Sequence, residues 1–250
     1  MIDTLLNHRS IRKYKPDIVE PSKLDIILKA ATRASSTGNM QAYSIVVTRD
    51  AGIRKKLWEA HFKQNMVLEA PVHLTFCADF NRFSKWCEQR KADPGYDNYL
   101  SFLTGAIDAM LAAQNAAIAA ESLGLGICYL GTATWMAARM IGILDLPKLV
   151  VPVTAMVIGY PDETPPLTDR LPVEGVVHQE KYQGYLPIDI DRIHAEKESL
   201  ESTIELLKVN GKETLAQIFT DNRYKRADNR FFSRTFMNVL DKQGFMCNDD

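Results

Sequence analysis

This sequence of 250 residues lacks the cysteine spacings of zinc and redox sites and the N-terminal pattern of a signal peptide. Its four cysteines, Cys77, Cys87, Cys128 and Cys247, include no C-x-x-C pair and no spacing typical of a zinc site. An even number would allow two disulfides, but reduced thiols in a cytoplasmic protein are the simpler interpretation. The first residues lack a charged region followed by an apolar run, so we expect no signal peptide.

An excess of charge of either sign is also missing. Thirty Lys and Arg residues face 31 Asp and Glu residues, which leaves a formal net charge of -1. No overall field attracts nucleic acid or an anionic membrane, so we expect neither as a partner, and any anion must be bound by a local cluster. Hydrophobic residues make up 46% and charged residues 24%, the balance of a folded globular protein.

One long apolar segment, residues 105–126, needs a comparison with membrane-spanning helices. It is rich in alanine, but polar residues interrupt it about every seven positions, and such groups are unfavourable in hydrocarbon. They are Asp108, Gln114, Asn115, Glu121 and Ser122. One narrow polar stripe on an otherwise apolar helix predicts a helix buried inside a protein rather than one that crosses a membrane.

The remaining patterns predict an α+β fold. Strands are expected over 43–48, 72–78, 127–130 and 150–158, and further helices over 3–7, from Pro21 with a capping box at Ser22, and over 53–61, 135–144, 190–208 and 231–243. Residues 80–100 are expected to form a mobile excursion, and 161–190, with five prolines, an extended segment. No G-x-G-x-x-G follows a strand, which argues against a Rossmann domain.

The basic cluster His8-Arg9-Ser10-Ile11-Arg12 is the sharpest candidate for ligand binding. Arginine offers a planar fork and serine a short hydroxyl, which together suit a phosphate group. The cluster follows a short helix, so free backbone N–H groups are expected nearby. The alternative is a solvated basic turn.

Three further segments have two interpretations each. The glycine-rich turn 124–132 could bring backbone N–H groups close to a flat ligand, or simply end a helix and a strand. The segment 35–41 could hydrogen-bond a polyol or a heteroaromatic edge, or be a plain loop, and Arg170 could contact an anion or be a surface arginine. His73 is expected to be a satisfied core residue and Cys128 a buried small side chain rather than a nucleophile. No serine-hydrolase, zinc-protease or P-loop motif is present.

Taken in order, these pieces resemble the nitroreductase superfamily, specifically its oxygen-insensitive NADPH nitroreductase and flavin reductase branch. The resemblance covers residues 1 to about 185. It is carried by HRSIRKY (8–14), ASSTGNMQAYSI (34–45), FCADFNR (76–82), DAMLAAQNAAIAAESLGLGICYLG (108–131), LDLPKLVVPV (144–153), GYP (159–161), RLP (170–172) and His178-Gln179-Glu180-x-Tyr182.

The resemblance implies an α+β fold with a central mixed sheet flanked by helices, in an intertwined homodimer. Residues 1–185 would form the FMN-binding core, and residues 186–250 a helical C-terminal extension of the same domain that embraces the partner. The alanine-rich helix would pack against its copy, since small residues allow helices to approach closely.

The resemblance also implies FMN as cofactor and NAD(P)H as co-substrate. His8, Arg9, Ser10 and Arg12 would hold the phosphate and ribityl end with help from Arg170, and Ser36 would come from the partner subunit. Gln64 would contact the edge of the isoalloxazine, and Tyr129, Leu130 and Gly131 would supply backbone against the ring. No catalytic acid or base and no metal ligand is assigned.

The implied activity is two-electron, ping-pong reduction of nitroaromatics, quinones or free flavin. Other chemistry on the same scaffold, such as reductive dehalogenation or flavin destruction, a flavin-binding protein with little turnover, and a plain anion-binding module are the alternatives. Two positions depart from the family pattern: Thr168 stands where a lysine is common, and Thr132 replaces the second glycine of a Gly-Gly pair. Both bear on FMN affinity, flavin potential and the choice between NADH and NADPH.

Overall fold

A computed structural model describes residues 2–247 of the chain. The chain divides into two compact units, and each is described by itself. The larger unit runs to Pro166 and resumes at Ser233, and the smaller unit is Leu167–Phe232. The predicted division into residues 1–185 and 186–250 is a different one and stays a prediction.

The elements alternate along the chain as expected for an α+β protein. Four strands are present: β1 (Tyr43–Thr48), β2 (Val72–Asp79), β3 (Gly126–Leu130) and β4 (Val150–Gly159). The helices are α1 (Ile2–Leu6), α2 (Pro21–Ala31), α3 (Ala51–Ala60), α4 (Met66–Glu69), α5 (Asn81–Gln89), α6 (Tyr99–Ser122), α7 (Thr132–Trp135), α8 (Ala137–Ile143), α9 (Pro187–Ser199), α10 (Glu201–Asn210), α11 (Leu215–Gln217) and α12 (Arg226–Gln243). Short 3₁₀ turns cover Thr37–Asn39 and Val173–Gly175, and a π-helical turn covers Ile218–Arg223.

The strands form one sheet in the order β1-β2-β4-β3, and every neighbouring pair is antiparallel. A mixed sheet, with parallel and antiparallel pairs, was predicted. Within residues 2–247, parallel pairing is limited to one isolated bridge, between Ser10 and Ile127. The connection through α6 joins β2 to β3, and β4 lies between these two strands and pairs with both of them in the antiparallel direction. All eight residues of β2 are buried, because this central strand is covered on both faces.

Helix α6 is the core helix of the larger unit. By length and composition alone it could cross a membrane, but it packs against α2, β1, β2, β3 and β4. Its buried face is mostly alanine, and Gly105 is required there because a Cβ would lie 2.7 Å from the carbonyl oxygen of Ala42. The prediction of a buried core helix is confirmed for the face that packs on the sheet, although the other face is exposed and the helix begins at Tyr99 rather than at residue 105. The Asn98 side chain caps that earlier start by accepting from Ser101 N.

Residues 80–100 are not a mobile excursion, because helix α5 occupies their first half. Its buried Ser84 and Cys87 are three residues apart, a helical spacing that the mixture of polar and aromatic residues concealed. Arg82 on this helix donates to the backbone carbonyls of Gln41 and Tyr43. Phe80, at the N-terminus of the helix, stacks on Tyr96 with ring centroids 4.9 Å apart. The segment therefore holds the loop before β1 in place.

Three other helix predictions were wrong in detail. The helix over 190–208 is divided at Leu200, whose backbone is extended, and the hydroxyls of Ser199 and Thr203 bond to the carbonyls of Glu196 and Lys197 at this break. The helix over 135–144 is divided at Met136. No capping box forms at Ser22, because the helix has already begun at Pro21.

Candidate functional site

The basic segment 8–12 runs beside strand β3. Ser10 bridges Ile127, and Ile11 N donates to Ile127 O at 2.8 Å. Gly126 permits this approach, since a Cβ there would lie 2.7 Å from the side chain of Ile11. Gly131 lies four residues beyond Ile127, about 13 Å away along an extended chain. The basic cluster and the glycine turn thus lie along the same strand, at a spacing that an elongated ligand can bridge.

Most polar groups of the basic cluster already have partners in the protein. His8 Nδ1 lies 2.6 Å from Glu121 Oε1, and Arg9 Nε donates to Pro165 O at 2.9 Å. The guanidinium of Arg12 is exposed and makes no hydrogen bond or ion pair with any residue from 2 to 247 that the structure describes. Arg12 is therefore the member of the cluster with the most capacity for an external anion.

Two backbone N–H groups at the end of the cluster are already occupied. Glu163 Oε1 accepts from Arg12 N at 2.6 Å and from Lys13 N at 3.1 Å. A carboxylate from the segment after β4 thus fills the position where a bound anion would meet these two amides. The sequence did not indicate this partner, because it lies about 150 residues away along the chain.

Cys128 behaves as the sequence suggested. Its thiol is 3% exposed and packs in the core with Leu130 and Met140. Burial raises the pKa of this thiol, and the neighbouring Glu163 carboxylate adds to the effect, whereas Arg12 opposes it. The neutral thiol is therefore the stable form, and the interpretation as a buried small side chain is confirmed.

Ser36 is held by a buried carboxylate that sequence reasoning did not single out. Asp108 on α6 is 1% exposed and accepts from Ser36 Oγ (2.7 Å), Thr37 N (3.0 Å), Thr37 Oγ1 (3.2 Å) and Ala42 N (3.3 Å). Ser36 Oγ in turn accepts from Gln41 N at 2.7 Å. Asp108 thus fixes the loop 36–42 on the core helix, and the hydroxyl of Ser36 retains only acceptor capacity for a ligand.

Gln64 and the glycine turn meet through one histidine. Gln64 Nε2 donates to His61 O at 3.1 Å, and His61 Nδ1 lies 2.7 Å from Thr132 Oγ1. Phe62 and Lys63, between the two, have φ of 53° and 58°, a left-handed conformation that is unfavourable for residues with a Cβ and is often found at functional sites. This strained turn lies between Gln64, which bonds to the His61 carbonyl, and His61, whose ring contacts Thr132 after Gly131.

Gly131 itself is exposed, whereas Leu130 before it is buried. A Cβ at Gly131 would meet no atom within 4 Å. Tyr129 is half-buried, and its hydroxyl lies 3.4 Å from Gln114 Oε1. Phe62 and Trp135 pack beside the turn with their rings tilted by 49° and the ring centroids 6.1 Å apart. The end of β3 therefore presents open backbone flanked by an amide and two aromatic rings.

Arg170 lies in the smaller unit. It is exposed and donates to the carbonyls of Thr168 and Asp169. The acid beside it is engaged elsewhere, since Lys197 Nζ lies 2.6 Å from Asp169 Oδ2. Arg170 therefore keeps its charge available.

The structure thus brings the segment of Ser10 and Arg12 alongside β3, and connects Gln64 to Thr132, the residue after Gly131, through His61. The residues that sequence reasoning missed act as supports: Asp108, Glu121, Glu163 and His61. Asp108 and Glu121 had a visible signal, since they are charged residues among the apolar and small residues of α6.

Comparison with known proteins gives a consistent result. Residues 5–160 match the nitroreductase family, whose members are typically dimers that act on small molecules. The chain is 34% identical to the Bacillus subtilis protein "FMN reductase [NAD(P)H]", covering 98% of this chain and 97% of that one. It is 34% identical to the "oxygen-insensitive NADPH nitroreductase" of Salmonella typhimurium, with the same coverage.

Solved structures agree. A crystal structure of a Bacteroides fragilis protein is 51% identical, with a TM-score of 0.96 and coverage of 98% of this chain and 99% of that one. The NADPH:FMN oxidoreductase of Vibrio harveyi, solved in complex with NAD+, is 30% identical, with a TM-score of 0.82 and 99% coverage of both chains. With the family match extending over more than half of its length, the chain belongs to the nitroreductase family.

Proposed function

We propose that this chain is an FMN-dependent NAD(P)H oxidoreductase that reduces nitroaromatics, quinones or free flavin by two electrons in a ping-pong cycle. The observation that carries this proposal is its 34% identity, over almost the full length of both chains, to a protein named for NAD(P)H-dependent FMN reduction. The nitroreductase of Salmonella typhimurium extends the same argument to nitro compounds.

The donor set fits FMN. The free guanidinium of Arg12 suits a phosphate, and the open backbone at Gly131 leaves space for a flat ring. The carbonyl oxygen of the Gln64 side chain has no partner among the described residues, so it can accept from an N–H on a ring edge. These groups provide a cation at one end and polar and apolar surface at the other, as the two ends of FMN require.

In the mechanism, FMN supplies the hydride acceptance and donation, and the protein supplies position and electrostatics. Arg12, Ser10 and Arg9 would bind the phosphate and ribityl end, with His8 held in place by Glu121. The backbone at Tyr129, Leu130 and Gly131 would face the ring, and Gln64 would orient its edge. Ser36 of the partner subunit, able only to accept, would contact a donor on the ligand. Arg170 stays a proposed phosphate contact. We assign no catalytic acid or base.

A homodimer is part of this proposal. The outer face of α6 carries a stripe of exposed apolar side chains at helical spacing. They are Leu100, Leu103, Ile107, Met110 and Leu111. A contiguous stripe of this kind on a soluble protein usually marks a protein interface. The C-terminal helices would then embrace the partner. A cytoplasmic location is supported by the four free thiols.

The test is reconstitution and turnover. The purified full-length chain, loaded with FMN, is expected to absorb near 450 nm, as oxidised flavins do, and to oxidise NADPH or NADH when nitrofurazone, menadione or free FMN is added. Failure to bind FMN would overturn the whole proposal. Binding without turnover with any acceptor would overturn the reductase activity.

The phosphate assignment has its own test. Arg12→Ala removes a charge-assisted contact of roughly 1.5–3 kcal/mol, so the Kd for FMN is expected to rise by about ten- to a hundredfold. Lys13→Ala, which removes a neighbouring exposed cation, is the matched control and should change it little. Equal effects of the two substitutions would indicate only general electrostatic attraction, and the assignment to Arg12 would be wrong.

A further inference from the structure

The basic segment changes its hydrogen-bonding partner between Ile11 and Lys15. At the first of these residues it pairs with β3, because Ile11 N donates to Ile127 O at 2.8 Å. At the second it pairs with the chain that follows β4, because Lys15 N donates to Tyr160 O at 2.9 Å. The main chain between these two residues must therefore turn from one partner to the other.

Glu163 holds the chain at this change of partner. Its Oε1 accepts from Arg12 N at 2.6 Å and from Lys13 N at 3.1 Å. Successive N–H groups of an extended chain point in opposite directions, whereas these two converge on one oxygen, as in the backbone nests that bind anions. A side-chain carboxylate of the protein thus supplies the anion for this nest.

The chain around Glu163 is itself held against the basic segment. Asp162 N donates to Lys13 O at 2.9 Å, and Arg9 Nε donates to Pro165 O at 2.9 Å. These contacts lie on both sides of Glu163, so the backbone that carries its carboxylate is fixed beside the nest. The carboxylate is therefore part of the construction of the segment.

Arg12 extends from this fixed main chain. Its backbone N is bonded to Glu163, while its guanidinium is exposed and forms no ion pair with Glu163 or with any other described residue from 2 to 247. A charged side chain on a fixed backbone loses less conformational entropy on binding an anion than one on a mobile loop. The bond to Glu163 therefore favours anion binding by Arg12 and leaves its charge available.

We propose that Glu163 is a positioning residue, which fixes the main chain at Arg12 so that its guanidinium binds the phosphate of the flavin nucleotide. The inference rests on the proposed function for the identity of this phosphate. In this role Glu163 does not touch the ligand. The competing role is that of an internal anion that occupies the nest and keeps the phosphate out. The two roles predict opposite effects on FMN affinity when the carboxylate is removed.

The first test uses the full-length protein without FMN. Hydrogen exchange followed by NMR should be slow at the amides of Arg12 and Lys13 in the wild type. In Glu163→Ala, exchange at these two amides should be about tenfold faster or more, because a bond to a charged acceptor is lost. Exchange at Ile11 should not change, because its bond to β3 remains. Unchanged exchange at Arg12 and Lys13 would overturn the proposal.

Asp162→Ala is the matched control for both tests. It removes a neighbouring carboxylate that is exposed and has no side-chain hydrogen bond or ion pair among residues 2–247 of the structure. Its backbone N–H, which donates to Lys13 O, is retained. This variant should therefore keep the amide exchange and the FMN affinity of the wild type.

The second test compares FMN with riboflavin, which has the same ring and ribityl chain but no phosphate. In fluorescence titrations, Glu163→Ala should raise the Kd for FMN about five- to twentyfold, because Arg12 loses its fixed position, and change that for riboflavin less than about twofold. In the Arg12→Ala background, Glu163→Ala should have no further effect on FMN, because both substitutions act on the same contact.

Three results of the second test would overturn the proposal. Tighter FMN binding in Glu163→Ala would show that the carboxylate competes with the phosphate. Equal weakening of FMN and riboflavin binding would show that Glu163 acts only on general stability. Additive effects of Arg12→Ala and Glu163→Ala would show that the two residues act independently.

Glu163→Gln replaces Glu163→Ala if the latter fails to fold, since it keeps an acceptor oxygen but lacks the charge. A neutral acceptor makes a weaker bond, so exchange at Arg12 and Lys13 should be about two- to fivefold faster than in the wild type, and equal exchange would overturn the proposal. If the wild type binds neither FMN nor riboflavin, the proposed function fails, and the amide exchange still decides whether Glu163 fixes the chain at Arg12.

Discussion

The two units of this chain differ in what they do with their apolar side chains. The larger unit buries them in three clusters around the sheet and α6. The smaller unit buries few, such as Ile193, Leu215 and Ile218. It leaves others open to solvent, among them Tyr182, Leu186 and Ile188, the first of which is 75% exposed.

The difference extends to polar groups. In the larger unit, buried Asp108 and His61 have hydrogen-bond partners from distant parts of the sequence, Ser36 and Thr132 respectively, and His61 also contacts buried His73. In the smaller unit, ion pairs such as Arg192–Glu174 are exposed and contribute little to stability. The larger unit is therefore stabilised by its own buried contacts, whereas the smaller unit has an exposed apolar surface that a second copy of the chain could cover. Three predictions test this comparison.

The largest effect is expected from removing the buried carboxylate of the larger unit. Asp108→Ala would leave two backbone N–H groups and two hydroxyls of the loop 36–42 without their acceptor. At about 1 kcal/mol or more for each buried unsatisfied donor, the free energy of unfolding should fall by roughly 4 kcal/mol in urea titrations. Gln114→Ala, at an exposed position of the same helix, should change it by less than about 0.5 kcal/mol. Similar losses for both would contradict a special role for Asp108.

The second effect is a loss of stability in weak acid. The folded state lowers the pKa of His61 from 6.5 to about 4 and that of His73 as well, so the unfolded chain binds more protons in this range. Stability is complete above pH 6.5 and falls as the pH drops towards 4, by up to about 1.4 kcal/mol per pH unit for each histidine.

This prediction is best measured between pH 6.5 and 5, above the range in which most carboxylates titrate. His194→Ala, which removes a histidine of the smaller unit, is the control and should keep the full slope. His73→Leu should have a smaller slope than wild type, because one of the two buried imidazoles is gone. If the stability of the wild-type chain did not change between pH 6.5 and 5, His61 and His73 would have to be charged or hydrated in the folded state.

Substitutions in the apolar stripe of α6 are expected to change the stability of the isolated chain least. Their expected effect is on dimer formation. Ile107→Glu would place a charge in the proposed interface and should shift the protein to monomer in light scattering after gel filtration. Ile26→Glu is a matched control, since Ile26 is 51% and Ile107 52% exposed. Ile188→Glu should also shift the protein to monomer if the smaller unit contributes to the same interface. If Ile107→Glu stays dimeric, the interface lies elsewhere.

The strands and the core helix could be predicted from the sequence because their signals are local. The predicted bounds of β1 are those observed, and β2, β3 and β4 differ by one residue. The division of the helix at Leu200 could not be predicted, because neither proline nor glycine marks it. Helix α5 could have been found, since its buried residues have helical spacing, but its polar and aromatic composition favoured a loop.

At the candidate site, too, the sequence predicted some features and the tertiary structure decided others. His8, Arg9, Ser10 and Arg12 were selected by residue type alone, and their roles towards FMN stay predictions. Only the tertiary structure decides which of their groups are free to bind a ligand. There the Glu121 carboxylate contacts the His8 ring, and the Glu163 carboxylate accepts from the backbone amides of Arg12 and Lys13. These partners lie more than 100 residues away, and no local pattern connects them.

The sequence by itself therefore determined the strands, the core helix, the family and the types of residue at the site. Hydrophobic period, turn residues and short motifs all act over a few neighbouring positions, where the chain's own geometry sets the outcome. The tertiary structure alone decided which polar groups remain free for a ligand. Arg12 is free, Ser36 is bound to Asp108, and Thr132 is joined to two buried histidines, because the pairing of distant polar groups depends on how the sheet and α6 bring them together.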